Sequence, residues 1–258
     1  MYATLYPMNC PRVALFDLDN TLAEPYQPLG EAIAAAFARL PALLPTAIMS
    51  AASLERIQKN VLPGLPKETG EKLTLFTANA GQSFICKDGH WEPQYRFEFS
   101  DAQLAKIESS IKEALAETGV TDGVKIYGDQ FIDYKGYFAF TALGVGAPVE
   151  ERRAWDPDFS KRAKLREVIA QKLPEFDVYI GGSTSIDVTL KDVNKSYGIK
   201  WLSERLSIPT SEMLYVGDAL YKNGNDFVVI QTGIQTRQTS GPEETLSIIE
   251  EVLAACRV

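Results

Sequence analysis

Histidine is almost missing from this chain: His90 is the single one in 258 residues, which removes most histidine-based acid–base and metal chemistry. Cysteine is also scarce. Cys10, Cys86 and Cys256 are odd in number and show no C-x-x-C spacing, so neither a disulfide framework nor a zinc knuckle is expected. No apolar run approaches the ~18 residues that a membrane-spanning helix needs. The opening MYATLYPMNCPR has neither a basic start nor an apolar stretch, so it does not read as a secretory leader. Phosphate loops of the G-x-x-x-x-G-K-[ST] kind and the G-x-G-x-x-G fingerprint are both lacking, which leaves P-loop nucleotide hydrolysis and dinucleotide redox chemistry without support. Positive charge is in deficit: 26 basic against 34 acidic side chains give a formal charge of −8, against broad nucleic-acid binding. These absences point to a cytoplasmic chain, in a reducing setting, that meets neither membrane nor nucleic acid.

What is present is an ordinary globular composition, with two rhythms along the chain. Apolar strands alternate with helices at the start: strand Arg12–Asp17, helix Gly30–Arg39, strand Pro45–Ser50, helix Leu54–Val61 and strand Leu73–Thr77. The middle repeats a helix followed by two strands. Helices are expected over Asp101–Glu117 and Asp158–Leu173, and strands over Lys125–Asp133, Tyr137–Leu143, Asp177–Ile180 and Ser185–Leu190. The first rhythm then resumes with helix Ser196–Leu206, strands Met213–Val216 and Phe227–Gln231, and helix Pro242–Ala254. The expected fold is therefore α/β: a doubly wound, mostly parallel core over residues 1–94 and 189–258, interrupted by an α+β insertion at 95–188.

Asp17 and Asp19 end the first strand, in Phe16-Asp17-Leu18-Asp19-Asn20-Thr21-Leu22. Ligands of doubly wound sheets bind beyond the carboxyl ends of the strands. Two carboxylates crowded there repel each other unless they share a cation or a proton. One could then attack phosphorus while the other handles the proton of the departing oxygen. An Asx-turn with two solvated acids is the plainer reading.

This segment resembles the D-x-D-x-T-L motif of the haloacid dehalogenase-like phosphotransferases. The resemblance implies a Mg²⁺-dependent aspartyl-phosphate mechanism and three further elements. Ser50, at the end of Pro45–Ser50, fits the hydroxyl that binds the phosphoryl group, with Ser53 as the fallback. The flank Ala51-Ala52-Ser53 departs from the Gly-Arg of many relatives. Lys195, in Asp192-Val193-Asn194-Lys195-Ser196, resembles the lysine of the Cof-like and phosphomannomutase-like branch, and Lys191 competes with it. Leu214-Tyr215-Val216-Gly217-Asp218 with Asn223-Gly224-Asn225-Asp226 resembles the G-D…N-D metal element, on a spacing longer than usual. By this resemblance Asp17, Asp19 (through its backbone carbonyl), Asp218 and Asp226 surround Mg²⁺, while Asp17, Asp19, Ser50 and Lys195 carry the chemistry.

The insertion occupies the cap position of that branch. Gly181-Gly182-Ser183-Thr184-Ser185-Ile186-Asp187-Val188 resembles a phosphomannomutase strand whose Ser and Asp approach sugar hydroxyls, which makes Ser185 and Asp187 candidates to contact a sugar. A mutase also needs cap arginines for a distal phosphate. The stretch FAFTALGVGAP between Phe138 and Pro148 has none, and Arg152, Arg153, Arg162 and Arg166 read as solvated surface. The expected activity is thus hydrolysis of a small phosphorylated metabolite such as a sugar phosphate. The alternatives are a phosphomannomutase-like isomerase and a binding protein that keeps the fold without turnover. Monomer and homodimer are equally compatible with the sequence.

Overall fold

The computed structural model describes residues 9–222 and 224–257; Asn223, quoted above with the metal element, lies outside the described residues. In chain order the elements before the insertion are β1 (Val13–Phe16), α1 (Glu31–Phe37), β2 (Thr46–Met49), α2 (Leu54–Asn60), α3 (Lys67–Gly70), β3 (Thr74–Thr77), β4 (Gln82–Lys87) and β5 (His90–Arg96). The insertion holds α4 (Asp101–Thr118), β6 (Phe131–Asp133), β7 (Tyr137–Thr141), α5 (Val149–Trp155), α6 (Ser160–Lys172), β8 (Phe176–Ile180) and β9 (Ser185–Leu190). After it come α7 (Lys195–Leu206), β10 (Met213–Gly217), β11 (Gln235–Gln238) and α8 (Pro242–Ala255).

Seven strands form one sheet in the order β11-β10-β1-β2-β3-β4-β5. The pairs from β11 to β3 are parallel, and β4 returns antiparallel to β3. The strand β1 is buried at every residue, as a central parallel strand covered on both faces must be. Its alternation divides the core. Ala14 and Phe16 join Phe37 of α1 and Ile249 and Val252 of α8, whereas Val13 and Leu15 join Ile199 and Leu202 of α7. The chain leaves β1 toward β2 and β3, then returns to β10 on the other side of β1. That reversal is a topological switch point, and it opens a crevice at the carboxyl ends of β1 and β10.

The insertion builds its own core. A four-stranded sheet in the order β6-β7-β9-β8, antiparallel throughout, turns Phe138, Phe140, Val178, Ile186 and Val188 toward Ile107 and Ile111 of α4 and Leu165 and Ile169 of α6. The opposite face of that sheet carries Tyr137, Thr141, Tyr179, Ser185, Asp187 and Thr189, because residues paired directly across a ladder share a face. The chain accordingly divides into two compact units: one of the described residues up to Tyr95, Lys195–Tyr221 and from Asp226 on, the other of Arg96–Asn194 with Lys222–Asn225.

Several sequence expectations need correction. The segment Phe227–Gln231 is not a strand but part of a 3-10 helix, Phe227–Thr232, with Phe227 and Ile230 exposed. The outer parallel strand is instead the polar β11, QTRQ, whose edge position demands no apolar signature. Only Phe131–Asp133 of the expected strand Lys125–Asp133 is extended, since Gly128 turns at φ 84° just before it. The α5 helix was not anticipated; it ends at Trp155, and α6 starts anew after Phe159, which sits at φ 65°. The insertion runs to Asn194 rather than to residue 188, because the β9 ladder continues through Leu190. Cys10 and Cys256 are disulfide-bonded, joining the lead-in to β1 to the residue after α8. The odd cysteine count concealed that pair, and Cys86 is the one free thiol.

Candidate active site

The Asp17–Ala23 loop is short and tightly closed. The Leu18 carbonyl accepts from the N–H groups of Thr21, Leu22 and Ala23, and Leu18 and Leu22 are both buried in the core. The Asp17 N–H donates to the Val216 carbonyl, which carries the β1–β10 pairing one residue past the strand. Asp17 is thereby fixed at the switch point.

Lys195 is buried, contrary to the ordinary behaviour of a lysine in a polar loop. As the first residue of α7 it has all three ammonium hydrogens engaged: with Asp17 Oδ1 at 2.5 Å, Asp226 Oδ1 at 2.6 Å and the Tyr215 hydroxyl at 3.1 Å. Gly198 makes this position possible. A Cβ there would stand 2.8 Å from both Ala80 Cβ and Met49 Cε, so α7 comes this close only because that residue has no side chain. Lys191, the competing lysine, belongs with Asp177 to the insertion unit, where it is exposed and pairs with that carboxylate at 3.0 Å.

Asp226 is wholly buried. Its Oδ1 accepts from Lys195 and from Tyr215 at 2.6 Å, and its Oδ2 accepts from the Ala219 N–H at 3.1 Å. Oδ2 also lies over Gly217, where a Cβ would come within 2.3 Å. Asp218, half-buried just after β10, is hydrogen-bonded by the Asn20 side chain.

The electrostatics follow from burial and crowding. Burial lifts the Asp17 carboxyl to about 8; the Lys195 charge opposes that shift, and Asp226 and Asp218 add to it. Burial, with Asp226 beside it, also raises Asp218. For Lys195 burial works against the charge, but Asp17 and Asp226 outweigh it and hold the ammonium above its ordinary range. Burial and Asp226 push the Tyr215 phenol well up, so it stays a protonated donor. Asp17, Asp218 and Asp226 each offer an oxygen, all within 4.8 Å of one another. Three carboxylates held that closely, with burial and mutual repulsion raising two of them, form an all-oxygen donor set that suits a hard divalent cation.

Ser50 directly follows β2, buried. Its N–H donates to Phe76, its carbonyl accepts from Asn79, and its Oγ accepts from the Ala52 N–H at 3.0 Å, which leaves the hydroxyl hydrogen to donate elsewhere. Asn79 reaches it from a turn in which Ala78, Asn79 and Ala80 all have positive φ. Ser53 is committed differently: it caps α2 by accepting from the Arg56 N–H at 3.2 Å. Asp19 is gripped by Arg56 of α2, whose Nη1 donates to Oδ2 at 3.0 Å and whose Nη2 donates to Oδ1. The guanidinium lies 4.2 Å from the centre of the Tyr26 ring.

Ser185 and Asp187 belong to the other unit. Asp187 stands across from Ala139 and Tyr179 and is buried, which raises its carboxyl to about 7. Arg162, expected at the surface, is instead buried in an ion pair with Asp156, Nε to Oδ2 at 2.7 Å, and donates to the Gly182 carbonyl at 2.6 Å.

The structure thus gathers Asp17, Lys195, Asp218 and Asp226 into one cluster, with Ser50 at the end of the strand beside β1. The sequence reading passed over Tyr215 and Arg56. A tyrosine inside an otherwise aliphatic parallel strand was the available signal for the first; nothing local marked the second.

Comparison with known proteins identifies a family and a fold. Residues 101–255 match the family described as eukaryotic phosphomannomutase. Among curated relatives, the phosphomannomutase of Solanum lycopersicum is 24% identical over 91% of both chains, and that of Spinacia oleracea 23% identical over 93% of this chain and 95% of its own. An IMP-bound, N-terminally truncated IMP-nucleotidase of Plasmodium falciparum superimposes with a TM-score of 0.71 at 17% identity, covering 95% of this chain and 68% of that one. A haloacid dehalogenase-like hydrolase of Bacteroides thetaiotaomicron gives 0.60 at 11% identity, over 94% and 99%. The solved structures share the fold. The chain belongs to the eukaryotic phosphomannomutase family, a family of phosphoryl-transfer enzymes, and shares its fold with a haloacid dehalogenase-like hydrolase.

Proposed function

We propose that the protein is a phosphatase that hydrolyses a small phosphorylated metabolite, most simply a sugar phosphate, through an ester on Asp17. The observation that carries this reading is the buried Lys195 ammonium clasped between Asp17 and Asp226 at the carboxyl ends of β1 and β10. A buried cation beside several carboxylates suits a site that must accept still more negative charge from a phosphate.

Asp17 attacks phosphorus, and the bond from phosphorus to the substrate oxygen breaks. Arg56 releases one of the two Asp19 oxygens it holds, that oxygen takes up a proton from solvent, and Asp19 passes this proton to the departing oxygen. As Asp17 loses its charge to the ester, the Lys195 ammonium keeps its proton and redirects that hydrogen bond to a phosphoryl oxygen. The Ser50 hydroxyl donates to another. Asp19 then takes a proton from water, and the hydroxide attacks the same phosphorus to restore Asp17 and release phosphate. Asp17, the Asp19 carbonyl and Asp218 would hold Mg²⁺, which would supply countercharge for the phosphoryl oxygens.

Ser185 and Asp187 are proposed to bind sugar hydroxyls, on a sheet face of Tyr, Thr, Ser and Asp side chains. Hydrolysis is favoured over mutase chemistry because that face carries no arginine for a second phosphate, and Arg162 is buried with Nε, Nη1 and Nη2 each donating to Asp156 or Gly182. The mutase reading is favoured by the names of the curated relatives. Incubation with mannose 1-phosphate and a bisphosphate activator separates the two. Free phosphate supports the phosphatase, while the 6-phosphate isomer without free phosphate supports the mutase. Sugar phosphates and nucleoside monophosphates should be screened in the same format. Activity that survives Asp17→Asn would overturn the assignment of the nucleophile.

A further inference from the structure

We infer that Tyr215 is a positioning residue whose hydroxyl fixes Asp226 as the counter-ion of Lys195 and withdraws that carboxylate from direct metal ligation, leaving Asp17 and Asp218 as the carboxylates available to a divalent ion. The kinetic part of this inference rests on the proposed function; the structural part does not.

The argument is an accounting of hydrogen bonds. A carboxylate has about four lone-pair directions. Asp226 uses two at Oδ1, for Lys195 and Tyr215, and one at Oδ2, for the Ala219 N–H. Oδ2 packs so close over Gly217 that a Cβ there would stand 2.3 Å from it. No described part of Asp226 is exposed. Asp17 gives one oxygen, Oδ1, to Lys195, and Asp218 remains half-open.

Tyr215 is what makes the Asp226 arrangement single-valued. A phenol has one hydrogen, and here it goes to Asp226; the oxygen then accepts the third Lys195 hydrogen. Phenylalanine would fill the same space while leaving one ammonium hydrogen unpaired and Oδ1 short of a donor. Asp226 could then rotate away from both Lys195 and the Ala219 amide. Tyr215 lies across from Leu15 in the β1–β10 pairing, within two residues of Asp17, so its ring is held by the most buried part of the sheet.

The test is Tyr215→Phe, read in three ways. Turnover of p-nitrophenyl phosphate should fall in kcat by about tenfold or more, as expected for one lost bond to a charged group, with KM unchanged. Calorimetric titration with Mg²⁺ should show no loss of affinity in Tyr215→Phe, since a released Asp226 can only add a ligand, and a loss of affinity in Asp218→Asn. Amide exchange followed by NMR should be faster at Ala219 than in the wild type. Asp226→Asn serves as a second variant, and it should weaken Mg²⁺ binding far less than Asp218→Asn does. Mg²⁺ binding lost in Tyr215→Phe or Asp226→Asn as fully as in Asp218→Asn would make Asp226 a ligand and overturn the inference. So would an unchanged kcat together with unchanged Ala219 exchange. If the wild type hydrolyses no phosphate ester, the proposed function fails, and the calorimetry and exchange still decide the role of Tyr215.

Discussion

Arg56 holds both carboxylate oxygens of Asp19 from the first turn of α2, 37 residues further along the chain. The pair is mostly shielded, and the guanidinium is also stacked on Tyr26. Arg56→Ala should therefore cost about 1–3 kcal/mol of stability, measured by urea unfolding. It should also lower kcat about tenfold, because Asp19 loses its orientation. Arg56→Lys should not restore the rate, since an ammonium cannot make the forked pair.

The close approach at Gly198 predicts a second effect. In Gly198→Ala the new methyl meets the Ala80 Cβ, which cannot swing aside, as well as the flexible end of Met49. The helix α7 must shift, and Lys195 at its start moves with it. A destabilisation of about 1–3 kcal/mol is expected, together with a fall in kcat. An unchanged rate in this variant would show that Lys195 tolerates displacement.

Asp187 gives a pH-dependent prediction with a definite sign. Burial raises its carboxyl from 3.8 to about 7. The unfolded chain therefore releases this proton first as pH rises, and folding is penalised progressively between those two values. Below pH 3.8 the penalty is absent; above about 7 it is complete. Asp187→Asn removes it. The variant should match the wild type near pH 3.8 and exceed it increasingly up to pH 7, by an amount on the order of a few kcal/mol. Calorimetric melting at a series of pH values checks this, and a constant difference would refute it.

The Cys10–Cys256 bond predicts one free thiol in the native oxidised protein and three after reduction, countable with a chromogenic disulfide reagent. Because it closes nearly the whole chain, its loss in Cys10→Ser should lower stability by about 2–5 kcal/mol. Both cysteines lie away from the catalytic cluster, so kcat should not change.

How much of this was legible in the sequence can be followed residue by residue. Asp17, Asp19, Asp218 and Asp226 stand next to apolar strands or a Gly/Asn-rich loop, and local motifs of that kind survive in a linear reading. The same holds for the insertion, where the spacing of apolar residues changes. β11 was misplaced because an edge strand with polar side chains has no period to detect, while the apolar run just before it imitates a strand. Arg162 was read as surface because its partner Asp156 becomes one only when α5 and α6 meet.

The alternation of strands and helices from β1 to β3, the two acids after β1 and the lysine before β10 were determined by the sequence alone, through hydrophobic spacing and short motifs that act over a few residues. The tertiary structure decided which groups share charge. Tyr215, Lys195 and Asp226 become one hydrogen-bonded unit, Arg56 finds Asp19, and Cys10 finds Cys256, only after the sheet has closed. These are contacts between residues far apart in the chain, and their strength comes from exclusion of water, which no local sequence pattern encodes.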